Sequence, residues 1–206
     1  MRLIGGCLTR IVSNLGGPDG NARLTSSTAV LLLVLLALEG VTVLFIRPLI
    51  SMHVFVGLLL VPPVALKLAS TGWRFACYYG RRPEYVAKGP PQIVLRVLVA
   101  PVLVAATIVL FGTGIAMLVV RPRAGVLVGL HKASFVVWFG AMTVHVLAYL
   151  TRLPGLARAD WRRPTRLPSA SLRLGVVAAS LALGAVLAAG ALDLASPWLD
   201  WVRARH

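Results

Sequence analysis

Five long apolar runs separate short basic segments along this 206-residue chain, and each run is long enough to cross a lipid bilayer as a helix. The predicted bounds of these runs are 27–46, 49–70, 93–120, 126–150 and 172–192. The composition agrees, because only 13% of the residues are charged, whereas a soluble domain has about a quarter. The sequence therefore predicts an all-α, polytopic membrane bundle of about five transmembrane helices.

The segments between the runs divide the chain into four parts. Residues 1–26 form a basic N-terminal segment, residues 27–150 a core of four transmembrane helices, residues 151–171 a basic loop, and residues 172–206 a fifth helix with a short tail. No polar stretch is long enough to bury a hydrophobic core of its own. A large soluble domain is therefore not expected within these residues.

The net charge of +15 would by itself suggest a nucleic-acid-binding protein. The Lys and Arg residues lie between the apolar runs and do not form one basic face, so the expected partner is the bilayer, with no nucleic acid. Lys and Arg are concentrated in residues 1–26, 71–92 and 151–171, which are predicted to be cytoplasmic. This bias predicts a multi-pass protein of the inner (plasma) membrane with its N-terminus cytoplasmic and its C-terminus outside.

Three features inside the runs carry structural expectations. Pro62 and Pro63 are expected to kink the second helix. Small residues in the fifth run are expected to allow close helix packing; they are Gly175, Ala179, Gly184 and Ala188. Trp198 and Trp201 in the tail are expected to anchor it at the membrane interface.

Histidines in the apolar runs give the strongest functional signal. His131 and His145 are 14 residues apart, which on an ideal helix places them within about 40° of one face and roughly 21 Å apart along the axis. The second run has His53 and Lys67 at the same spacing. Because the second and fourth helices run in the same direction, His53 should lie opposite His131 near the outer face, and Lys67 opposite His145 near the inner face.

Facing histidines on two membrane helices are typical of haem b sites, because the iron takes two axial ligands and neutral imidazole is a common one. The expectation is one or two b haems, with His53 and His131 at the outer site and His145 at the inner site. Lys67 can be the second inner ligand only if its amine is neutral. In the alternative interpretation His53 and His131 are interfacial polar residues and His145 is a packing residue with a hydrogen bond. Lys67 then extends to the inner lipid headgroups.

Glycines at the outer depth are expected to leave room for a flat ring at Gly57, Gly112 and Gly114, with Gly40 on the first helix at the same level.

Cations and one acid lie near the predicted outer site. Arg47 and Arg121, with Arg123 and Lys132, are either partners of haem propionates or ordinary loop charges. Glu39 is the one acid within the first run. It either relays protons to a quinone or is protonated and forms a hydrogen bond across the bundle.

These motifs resemble the bacterial b-type cytochromes of the membrane cytochrome b and ferric-reductase-like group. The resemblance lies in Met52-His53-Val54-Phe55-Val56-Gly57 and in Leu130-His131 with His145-Val146, and it covers about residues 30–150. It implies that the core of four helices binds haem, with His53 and His131 as ligands of one haem and His145 as a ligand of another. The chain departs from the pattern at Lys67, where a histidine would be expected.

The resemblance also implies a function and partners. Electrons would pass between the quinone pool and a partner redox protein, or to an external acceptor such as ferric iron. The chain would then be the cytochrome b subunit of an oxidoreductase complex, because it contains no nicotinamide or flavin domain. The competing hypothesis is a non-redox membrane protein, such as an assembly factor or a transporter subunit, with structural histidines.

Overall fold

The computed structural model describes residues 17–89, 95–120, 125–149 and 170–203. These residues form α1 (Gly17–Leu44), α2 (Ile46–Tyr79), α3 (Pro83–Val86), α4 (Ala100–Val119), α5 (Gly125–Tyr149), α6 (Ala170–Ala191) and α7 (Ser196–Arg203). A π-helical turn, Leu95–Val99, precedes α4, and a 3-10 turn, Leu192–Ala195, joins α6 to α7. No strand occurs in the described ranges, so the predicted all-α class is confirmed.

Five helical stretches are long and apolar enough to cross a membrane, which confirms the predicted multi-pass architecture. They are Gly17–Leu44, Ile46–Tyr79, Val97–Val119, Gly125–Tyr149 and Ala170–Asp200.

The first two helices extend beyond their apolar runs. α1 begins at Gly17, ten residues before the predicted start, and α2 continues to Tyr79, nine residues past its predicted end. Polar side chains link these extensions, because Asn21 Nδ2 donates to the Ser70 carbonyl and Thr25 Oγ1 donates to Ser70 Oγ, both at 3.0 Å. Hydropathy alone therefore underestimates both helices, since their ends pair through hydrogen bonds.

The break in the backbone of α2 does not fall at its prolines. Pro62 and Pro63 keep helical angles, and the non-helical residue within α2 is Leu49, with φ −109° and ψ 17°. Leu49 lies in the turn that follows Phe45, where the chain reverses between α1 and α2. The interruption in the helical angles of α2 thus lies in its first turn, and the bend expected at Pro62 and Pro63 stays a prediction.

α1, α2 and α6 pack as one group around Leu32, Leu35, Val56 and Leu60. α6 approaches α2 so closely at Gly184 that a Cβ atom there would overlap the Leu59 carbonyl oxygen. α6, which is the fifth predicted span, thus packs directly on α2.

The small residues of α6 are only partly used for this packing. Gly184 and Ala188 are buried, as predicted, whereas Gly175 and Ala179 are exposed. The prediction for Gly175 and Ala179 was therefore wrong, because these two residues lie on an exposed face of α6.

α4 and α5 form the second group, and Trp138 Nε1 of α5 donates to Thr107 Oγ1 of α4 at 3.0 Å. The two groups meet mainly through α2 and α4, and α2 and α5 barely pack together. The tail turns back on this group, because Trp198 is buried and its Nε1 donates to the Met117 carbonyl. Trp198 is thus a packing residue, and the side chain of Trp201 lies outside the described part.

Candidate functional site

The imidazole rings of His53 and His131 meet where the two helix groups come together. Their centroids are 6.3 Å apart and their planes lie at 86° to each other. His53 lies on α2 and His131 on α5, as the shared direction and depth of these two helices predicted. The contact joins two helices that otherwise barely pack against each other.

His53 is fixed by two residues of α1. Its Nδ1 lies 2.9 Å from Glu39 Oε1 and 3.1 Å from Thr42 Oγ1. Thr42 is fully buried and donates its own hydroxyl proton to the Glu39 carbonyl at 2.7 Å. Glu39 of α1 therefore contacts His53 of α2 through its side chain, which is the cross-bundle contact in one of its two expected roles.

His131 is fixed in the same way by α4. Its Nδ1 lies 3.1 Å from the Leu110 carbonyl oxygen and 3.1 Å from Thr113 Oγ1. Because a carbonyl oxygen can only accept, Nδ1 of His131 must carry the proton. Thr113 is buried and donates to the Val109 carbonyl at 2.7 Å, which holds its oxygen in place.

Both imidazoles thus share one contact pattern. Each places Nδ1 against oxygen atoms of the neighbouring helix, and within the described ranges no hydrogen bond reaches either Nε2. A neutral ring with Nδ1 protonated has its lone pair on Nε2. In that form the two rings, which come from opposite helix groups and have fixed orientations, would each offer a basic nitrogen.

Two of the predicted glycines make room for the residues that hold these rings. A Cβ atom at Gly57 would lie 3.5 Å from Glu39 Oε1, and one at Gly114 would lie 3.4 Å from Cε1 of His131. Gly112 and Gly40 have no neighbouring atom within 4 Å of such a Cβ. Gly57 and Gly114 thus lie next to the Glu39 carboxyl group and the His131 ring, where a single methyl group would fit and a larger side chain would collide.

The structure does not bring the predicted inner pair together by a hydrogen bond. Lys67 Nζ donates to the Thr25 carbonyl of α1 at 2.9 Å. His145 lies against Tyr149 of its own helix, with ring centroids 5.0 Å apart. Among the described residues, His145 has no second imidazole beside it.

The structure describes two of the four cations predicted near the outer site. Arg47 at the start of α2 and Lys132 of α5 are exposed, whereas Arg121 and Arg123 lie outside the described residues.

Sequence reasoning missed three groups that hold the two rings: Thr42, Thr113 and the Leu110 carbonyl. The two threonines carried a usable signal, since each is a polar residue within an apolar run and close to a feature already noted, Glu39 or Gly112. The backbone carbonyl carried none.

No family model, curated protein or solved structure matches the chain. Within the described ranges, no group of three or more His, Cys, Asp or Glu residues is placed to hold a metal ion. The paired imidazoles of His53 and His131 are therefore the feature on which a functional assignment rests.

Proposed function

We propose that this chain is a haem b-containing membrane protein that transfers single electrons, with His53 and His131 as the two axial ligands. The observation that carries the proposal is the meeting of two imidazoles from separate helix groups, each held through Nδ1. Ionisable side chains are costly in membrane-spanning helices and usually serve a function there. Three of the four histidines of this chain lie in its spans, which supports a functional role.

The ring separation fits a pair of axial ligands. A metal ion bonded to one nitrogen of each of two imidazoles, at about 2 Å, would hold the ring centroids roughly 6 Å apart. The observed separation of His53 and His131 is 6.3 Å. An edge-to-face packing contact between two rings also has a centroid separation of about 4.5–7 Å. The distance is therefore compatible with the proposal, and the hydrogen-bond partners of the two rings carry more weight.

The partners of the two rings support it as well. Histidines that bind a metal almost always donate their other N–H to a carboxylate or a backbone carbonyl, which fixes both the tautomer and the orientation. Glu39 supplies the carboxylate for His53, and Leu110 supplies the carbonyl for His131. Each ring therefore meets the requirement independently of the other.

α2 and α5 barely pack against each other beside the two rings, and the proposed haem would lie between these two helices. Haem supplies one-electron chemistry at its iron, and the protein adjusts this through the axial ligands, their hydrogen bonds and burial. The role of this chain is to fix two neutral imidazoles, to shield them with apolar helices and to connect both faces of a membrane.

At the predicted inner level the described residues supply one imidazole, that of His145, while the Lys67 amine is bound to Thr25. The proposal is therefore limited to one haem for each chain. The quinone pool, a partner redox protein and external acceptors such as ferric iron are the proposed electron donors and acceptors. A cytoplasmic N-terminus in the inner membrane belongs to the same proposal and rests on the charge bias of the segments.

The test is a dithionite-reduced minus oxidised spectrum of the purified protein together with a pyridine haemochrome assay. We expect a b-type α band and one haem for each chain, and re-oxidation of the reduced protein by an added short-chain quinone. A protein that is folded but free of haem, both after expression with a haem precursor and after addition of haemin, would contradict the proposal. The non-redox hypothesis would then be preferred.

A further inference from the structure

The hydrogen-bond acceptors of the two proposed ligands are unequal. Nδ1 of His53 contacts an acid side chain, Glu39 Oε1, at 2.9 Å. Nδ1 of His131 contacts neutral oxygens, the Leu110 carbonyl and Thr113 Oγ1, both at 3.1 Å. A charged acceptor makes a shorter hydrogen bond that is roughly twice as strong as a neutral one. The two imidazoles therefore have hydrogen-bond partners of different chemical type.

The surroundings of Glu39 strengthen the hydrogen bond between its carboxylate and His53. The Glu39 side chain is 16% exposed, and it lies between α1 and α2 with Gly57 leaving room for Oε1. In a setting of low dielectric constant a hydrogen bond to a charged group is stronger than in water. Among the described residues, no lysine or arginine lies within ion-pair distance of Glu39 to offset its charge.

Thr42 lies beside both the Glu39 carboxyl group and the His53 ring. Its hydroxyl lies 3.2 Å from Glu39 Oε2 as well as 3.1 Å from Nδ1 of His53. The carboxylate, the hydroxyl and the imidazole thus form one cluster whose members come from α1 and α2. A side chain that served only to fill space between these helices would not need a carboxylate directed at Nδ1.

We infer that Glu39 is a positioning residue that sets the reduction potential of the haem proposed above, by accepting the Nδ1 proton of His53. This inference rests on the proposed function. A carboxylate acceptor gives the imidazole partial anionic character and makes Nε2 a stronger electron donor. A stronger donor and a nearby negative charge both favour ferric over ferrous iron, so Glu39 lowers the potential.

The experiment compares Glu39→Gln with the wild type in a potentiometric titration of the α band. Glutamine keeps the shape and an accepting oxygen but removes the charge. We expect the variant to retain its haem and to shift the ferrous-to-ferric balance at least tenfold towards ferrous, which is about 59 mV upward for a one-electron couple. The low-spin ferric EPR signal should shift as well, because the ligand strength of His53 changes.

Thr113→Val is the matched control, because it removes a neutral oxygen from the other imidazole while the Leu110 carbonyl remains. We expect less than half of the shift seen for Glu39→Gln. A Glu39→Gln potential that differs from the wild type no more than that of Thr113→Val, with haem retained, would overturn the inference. The proposed function would survive that result, since both proteins would contain haem.

If Glu39→Gln loses its haem, Glu39→Asp decides the question. The inference would be supported if the ferrous-to-ferric ratio of Glu39→Asp stays within twofold of the wild-type ratio at the same applied potential. Aspartate differs in length from glutamate and keeps the carboxylate. The inference would be overturned if Glu39→Asp is folded but contains no haem. It would also be overturned if the ferrous-to-ferric ratio of this variant rises tenfold or more above the wild-type ratio. Glu39 would then have only a packing role. A wild type without haem would instead overturn the proposed function itself.

Discussion

Gly184 of α6 lies so close to the main chain of Leu59 of α2 that a Cβ atom at position 184 would overlap the Leu59 carbonyl oxygen. The obstacle is backbone, which cannot move without shifting a whole helix. Gly184→Ala should therefore lower the free energy of unfolding by about 1–3 kcal/mol, the usual range for an overpacked contact.

Gly175→Ala is the control for this contact, because Gly175 is exposed and has open space around it. Alanine there should be neutral or stabilise α6 by up to about 1 kcal/mol. Both variants can be compared by unfolding in mixed micelles. Equal stability of the two would show that α6 does not pack on α2 at Gly184.

Gly114 leaves room for the ring of His131, with a Cβ contact at 3.4 Å already at the lower edge of ordinary packing. Gly114→Val should push the ring away from Leu110 and Thr113, and the haem content should fall by more than half. Gly140→Val on α5, where nothing lies within 4 Å, should keep its haem. Equal haem content in the two variants would contradict the placement of His131 against α4.

Lys67 is engaged by α1 and is not expected to bind iron. Because its amine donates to the Thr25 carbonyl, Lys67→Met should leave both the haem content and the α-band position unchanged. The pyridine haemochrome assay and the reduced spectrum measure both quantities. Loss of a haem equivalent in this variant, with the fold intact, would restore the two-haem expectation.

Tyr85 gives the protein a pH dependence outside its spans. Burial raises the pKa of Tyr85 above its ordinary value, because the phenolate would be poorly solvated. A raised pKa in the folded state means that stability is fully present below the unfolded pKa of about 10 and is lost as the pH rises beyond it.

The thermal stability of the wild type should therefore fall more between about pH 9 and 11 than that of Tyr85→Phe. Lys and Arg titrate equally in both proteins, so the difference between the two pH dependences isolates Tyr85. Parallel pH profiles would show that Tyr85 is accessible to water in the folded protein.

The sequence alone predicts the spans and the meeting of His53 with His131, because hydropathy and a 14-residue spacing are properties of the chain itself. It does not predict where α1 begins or where α2 ends. Asn21, Thr25 and Ser70 are polar, and they lie in these extensions because they form hydrogen bonds with each other. Hydropathy has no term for that pairing.

The hydrogen-bond partners of the two rings were predictable to different degrees. Glu39 was visible as an acid in an apolar run, whereas the Leu110 carbonyl belongs to the backbone and leaves no trace in the sequence. The Thr25 carbonyl to which Lys67 donates likewise belongs to the backbone of a neighbouring helix. Such details follow from tertiary packing and not from spacing.

The most direct test of the account is the haem content of His53→Ala, His131→Ala and His145→Ala, measured by pyridine haemochrome on purified, folded protein. We expect the first two variants to lose the haem or to contain a pentacoordinate form with a shifted Soret band. His145→Ala should keep the wild-type haem content and spectrum. A wild-type spectrum in either His53→Ala or His131→Ala would contradict the assignment of this pair as the axial ligands.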